Sequence, residues 1–160
     1  MTMSERAQLL ADTIQAFNDA VMAFVDRCPE KAWRQICPNE DWQVGVVARH
    51  VADGHFQVTR LAKTMLQGEP LPEMTMEQVI EQGNIHAREH AACTPEEVKK
   101  LLAENGAAAV AFAAGLSDDD LDRKGHLALV GGEVSVEQLL TFVIIQSGGE
   151  HLTSMQTTIA

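Results

Sequence analysis

The chain has 160 residues, the length of one domain able to bury its own core, so a single domain over residues 1–160 is expected. Although 46 % of the residues are apolar, no uncharged run approaches the ~18 residues of a membrane span, and Met1-Thr-Met-Ser-Glu-Arg has no basic stretch leading into an apolar one; a soluble, cytoplasmic protein is expected. With 23 acidic against 12 basic residues the formal charge is −11, which repels phosphate backbones and anionic membranes and excludes both as expected partners.

In chain order, Ser4 reads as an N-cap, and Leu10, Ile14, Phe17, Val21 and Phe24 follow at spacings of four and three, so an amphipathic helix is expected to about Arg27. Asp12, Asp19 and Asp26 lie on its solvated side. Pro29, Pro38 and Asn39 break the pattern, and Cys28, Cys37 and Cys93 form neither a disulfide framework nor a cysteine zinc site. A second helix is expected after Asp41, with Trp42 in its first turn and Val47, Val51, Gly54, Val58, Leu61 and Met65 inward. His50 and His55 flank that stripe on opposite sides. Gln57, on the same line as His50, or Asp53, one turn on from it, is placed to orient its ring, while His55 reads as a half-exposed side chain.

Gly68, Pro70 and Pro72 end that helix. Thr75 can cap a run to about Ala91 that sets Val79, Gly83, His86 and His90 on one side. Two histidines four apart can face one ion, an interval that solvated helix faces also show. Thr94-Pro95-Glu96-Glu97 is a complete start signal for a third long helix with Val98, Leu102, Asn105, Ala109, Phe112 and Leu116 inward. Asn105 there either satisfies a hydrogen bond in the core or reaches a site. An acidic turn at Ser117–Leu121 and a small hairpin around Gly131-Gly132 precede the capping box Ser135-Val-Glu-Gln138. The last helix places Val136, Leu140, Val143, Ile144, Ser147 and His151 on one face, so His151 points inward, either as a satisfied core residue or as a ligand.

Four long helices with one long and two shorter connections make an all-α four-helix bundle with a single long crossover. If the first two helices run antiparallel and the third parallel to the second, His50 and His151 lie at one end, and His86 and His90 arrive there too.

Trp42-Gln-Val-Gly-Val-Val-Ala-Arg-His50 resembles the motif of the DinB-like (YfiT-like) superfamily of metalloenzymes, in which a tryptophan precedes the second helix and a histidine on it is a metal ligand. Glu150-His151-Leu resembles that superfamily's second histidine region. The resemblance spans nearly the whole chain and implies an up-down-down-up bundle that binds zinc or nickel, often as a homodimer. Some relatives are thiol-dependent isomerases or transferases, such as the mycothiol-dependent maleylpyruvate isomerase. One departure stands out: the superfamily's further ligand, a His or Glu four residues before the last histidine, is here Ser147. His86 or His90 would supply the missing imidazole, since two histidines alone bind zinc weakly.

Two functions follow. In the first, His50 and His151 with His90 or His86 hold a divalent ion, zinc or nickel, that activates a low-molecular-weight thiol or a water against a small electrophile. In the second, the bundle has lost its metal and serves as a small-ligand-binding or dimeric interaction module, with Gly148 and Gly149 thinning the last helix.

Overall fold

A computed structural model describes residues 4–160 and is mostly helical. Helix α1 (Glu5–Arg27) starts where the Ser4 hydroxyl accepts the amide of Ala7, a cap worth about 1 kcal/mol. It stops at Cys28, which is extended, as the residue before a proline prefers. The second helix begins later than the sequence suggests. Trp42–Gln43 is a short strand, β2, paired antiparallel with β1 (Ile36–Cys37), and α2 runs from Val44 to Leu66. The reversal between the strands uses Asp41 at φ +60°, a left-handed conformation that Asp tolerates better than most residues. Gly45 lets Trp33 lie on the first turn of α2, where a Cβ would overlap the indole, and the Trp33 Nε1 donates to the Cys93 carbonyl at 2.9 Å. The entry to α2 is thereby tied to the segment around Cys93.

Helices α3 (Met76–Glu89) and α4 (Pro95–Ala114) both open on complete capping boxes, Thr75 with Gln78 and Thr94 with Glu97. No residue of α3 is buried, so this helix lies on the outside and touches α2. The acidic turn is a short helix, α5 (Asp118–Asp122), capped by Ser117. The expected hairpin pairs β3 (Lys124–Leu127) with β4 (Gly132–Ser135), with Gly131 at φ +66° in its connection. Helix α6 (Val136–Leu140) then opens on the Ser135–Gln138 box.

The last long helix is not uniformly α-helical. A π-helical segment spans Thr141–Ser147 before α7 (Gly148–Ile159). Its i→i+5 bonding inserts residues into the turn and shifts the register of the faces. Val136, Leu140 and Ile144 are buried as expected, but the inward position beyond them is Gly148 and not Ser147, which is exposed. Gly148 faces Phe17, whose ring would lie 2.8 Å from a Cβ there.

Helix α1 packs on α4, α4 on α2, and α2 on α6 and α7. One buried cluster gathers Leu10, Ile14, Met65, Leu139 and Ile144; another gathers Val21, Phe24, Trp33, Val51, Leu102 and Met155, and Phe17 packs against both. His55 departs from expectation: it is 1 % exposed. The reason is Asn18 on α1, whose Oδ1 lies 3.0 Å from His55 Nε2 while its Nδ2 donates to the Leu102 carbonyl. A polar residue is stable inside when each of its groups is paired. Asn105 takes the core role offered by the sequence, donating to the Ala52 carbonyl at 2.9 Å. Cys37 and Cys93 are buried and unbridged, and burial pushes both thiols up. Among the described residues no helix is long and apolar enough to cross a membrane.

Candidate metal centre

Three helices bring imidazoles together. His50 sits on α2 with its ring centroid 5.2 Å from His151 on α7 and 5.8 Å from His86 on α3; the His86 and His90 rings are 4.6 Å apart. The four histidines singled out in the sequence therefore form one continuous row. Two residues of the row owe their position to groups the helix pattern did not reveal.

The first is Trp42. Its indole stacks edge-on against His50 at 5.2 Å and donates from Nε1 to Asn84 at 3.1 Å. Gly83 makes room, since a Cβ there would lie 3.1 Å from the indole. The tryptophan is a strut that fastens the otherwise unburied α3 over the site, and Arg34 adds a second tie by donating to the Ala91 carbonyl.

The second is Glu40, in the irregular stretch before Trp42. Its side chain is 8 % exposed, and its carboxylate accepts from Ser154 Oγ at 2.6 Å and lies 3.0 Å from His151 Nδ1. In the neutral ring this contact places the proton on Nδ1 and makes Nε2 the atom that accepts or ligates. Nothing in the periodicity of α1 or α2 points to Glu40; only its closeness to Trp42 in sequence could have. Replacing Glu40 with Ala is expected to release the His151 tautomer. Ring-nitrogen NMR would show Nδ1 protonated in the parent and a tautomer mixture in the variant, and an unchanged spectrum would remove the positioning role.

On the α3 side, Asp53 Oδ2 lies 2.6 Å from His86 Nε2 and 3.3 Å from Arg49 Nε. Burial acts to raise the Asp53 carboxyl, but the His86 hydrogen bond and the Arg49 charge outweigh it and hold it below its usual value. Asp53, one of the two residues expected to orient His50, engages His86 instead. Burial, reinforced by the neighbouring His151 and His86, pushes His50 down to about 4, so its ring is neutral near pH 7, the form that can ligate. Among the described residues, Asp53, His86 and His90 are the one group of three His, Cys, Asp or Glu side chains whose donor atoms all lie within 4.8 Å of one another. His86 Nδ1 is buried with no hydrogen-bond partner. Two imidazoles and a carboxylate, one imidazole with an orphaned nitrogen, form a donor set that fits a divalent cation.

Two spaces adjoin the row. A gap of about 30 Å³ lies between His50 and His151, bounded also by His55, Ser147 and Gly148, with room for a water or an ion. An open cleft of about 1200 Å³ runs past Glu40, His151 and Ser154. Gln35, Asn39, Thr153 and Thr157 give it an uncharged polar lining, Glu150 adds a carboxylate, and no lysine or arginine lines it.

A mostly helical chain with imidazoles and carboxylates converging from three helices defines a class, the helical proteins with a candidate cation site beside a cleft. Within that class the chain belongs to the mycothiol maleylpyruvate isomerase N-terminal domain family, a DinB-like family whose sequence model matches residues 14–140. The match takes in His50, Asp53, His86 and His90 and ends before the π-helical segment and His151. No curated protein and no solved structure matches the chain.

Proposed function

We propose that the protein is a divalent-metal-dependent enzyme that uses a low-molecular-weight thiol on a small electrophile, by transfer or by isomerisation. The observation that carries this reading is the row His151–His50–His86–His90, with Glu40 on His151 and Asp53 on His86, beside an open cleft. Family membership supports the thiol, since the family's description names a mycothiol-dependent isomerase domain. The long helices then form the up-down-down-up four-helix bundle of one domain over residues 1–160, acting as a cytoplasmic homodimer without nucleic acid or membrane.

A bound divalent ion, zinc or nickel, supplies Lewis acidity that lowers the pKa of a thiol or water. The chain's own groups do the rest. His50 presents a neutral imidazole, Glu40 fixes the ring of His151, and Trp42 packs edge-on against His50. The thiol S–H gives its proton to solvent and the thiolate adds to one carbon of a conjugated C=C bond as the π pair moves onto the conjugated carbonyl. In an isomerisation the resulting single bond rotates and the pair returns to expel the thiolate; in a transfer the adduct takes up a proton and keeps the C–S bond. The cleft lining sets the electrophile: hydroxyls and amides bind neutral polar groups, while Glu40, Glu150 and the net charge of −11 oppose anions.

The test is the metal content of protein purified without a metal-affinity tag, followed by thiol consumption with a panel of small electrophiles. Stoichiometric zinc or nickel is expected, and chelation is expected to abolish turnover. Absence of uptake with either metal in excess would sink this reading and favour the metal-free binding module. Within the panel, a neutral ester is expected to show kcat/KM roughly 10-fold or more above the matching dicarboxylate, the size of an unscreened charge repulsion of about 1.4 kcal/mol. The reverse order would remove the cleft as the substrate site.

A further inference from the structure

We infer that Asp53, His86 and His90 form the cation site of this chain, on α2 and α3, and that the His50–His151 pair on α2 and α7 is not by itself a metal site. The inference rests on the metal reading above and assigns the ion to one end of the histidine row.

The His50–His151 end has space for an ion but lacks donors. Ser147, which borders the gap, stands where a His or Glu would be needed, and its hydroxyl is a poor ligand. The other polar groups bordering that gap are already engaged: His55 Nε2 with Asn18, and His151 Nδ1 with Glu40, whose carboxylate also accepts from Ser154. Two imidazoles alone bind zinc weakly, because stable sites use three or four protein ligands.

The α3 end has what the other lacks. Its three donors come within 4.8 Å of one another with no rearrangement of the backbone. His86 lies in the last turn of α3 and His90 is its C-cap, whose amide donates to the His86 carbonyl at 3.0 Å, so the helix end sets their relative position; α3 is held over Asp53 by the Trp42–Asn84 and Arg34–Ala91 hydrogen bonds. Two histidines and one carboxylate are donors that zinc, iron(II), cobalt(II) and nickel(II) accept, with positions left open for a small ligand. Arg49, whose Nε contacts the same Asp53 oxygen as His86, competes with the ion for that carboxylate.

His86 and His90 can be altered without endangering the fold, because α3 buries no residue, and Asp53→Asn keeps the size of the side chain. The full chain would be titrated with zinc(II) by chelator competition and with cobalt(II) by its visible ligand-field bands. His86→Ala, His90→Ala and Asp53→Asn are each expected to weaken binding by more than the roughly 10–100-fold that losing an outer-shell partner costs, and to change the cobalt spectrum. His151→Ala is expected to leave affinity and spectrum within a few-fold of the parent, and Arg49→Gln to tighten binding several-fold. Binding lost in His151→Ala and kept in His90→Ala would overturn the assignment while leaving the metal-dependent reading standing. A parent protein that takes up neither zinc, cobalt nor nickel would overturn both.

Discussion

Gly106→Ala is expected to destabilise the protein by about 3 kcal/mol or more, measured as a shift of the chemical denaturation midpoint at constant slope. The glycine lies on α4 where α1 crosses it, and a Cβ there would overlap the amide of Asn18. Asn18 cannot move aside cheaply. Its Oδ1 pairs with His55 Nε2 at 3.0 Å and its Nδ2 donates to the Leu102 carbonyl at 3.1 Å, all three groups being buried. Displacing the amide leaves two buried polar groups unpaired, each at about 1–3 kcal/mol, on top of the overpacking itself. The effect should reach the site, because His55 borders the gap between His50 and His151. A loss below about 1 kcal/mol would mean that α1 and α4 separate without strain and that the Asn18 network contributes little.

The helices were legible because their starts are written in capping residues and their faces in period. Ser4, Thr75, Thr94 and Ser135 all cap as expected. Two features escaped for physical reasons. A π-helical turn depends on how a helix closes against its neighbours, here Phe17 against Gly148, and the sequence of Thr141–Ser147 carries no mark of it. The burial of His55 depends on Asn18, 37 positions earlier in the chain, so a period read along α2 alone could not find it. The site shows the same division. His50, His86, His90 and His151 were singled out by spacing and resemblance, and the structure sets their rings side by side. Glu40 and the pairing of Asp53 with His86 are contacts between distant segments, and such contacts leave no periodic signal.

Acid is expected to unfold the protein through His55. Burial lowers its pKa from 6.5 to about 4 in the folded state, while the unfolded chain keeps the ordinary value. Between those two values the unfolded state binds a proton that the folded state refuses, so stability falls as pH falls. The contribution is fully present above about 6.5, is lost progressively on the way down to about 4, and amounts to about 3 kcal/mol at 1.36 kcal/mol per pKa unit. His50 acts in the same direction over the same window. Denaturation of parent and His55→Gln protein at a series of pH values from neutrality to about 4 separates the two contributions. The variant is expected to be less stable at neutral pH, because glutamine does not reproduce the ring that meets Phe17 edge-on. Its stability should nonetheless fall less steeply with acid, by the slope of one proton, about 1.36 kcal/mol per pH unit within the window. Parallel pH profiles would show that His55 is protonated in the folded state and that Asn18 accepts from a charged imidazole. The buried Asn18–His55 pair would then be an acid-tolerant core contact, and the acid sensitivity of the fold would have to come from the histidine row instead.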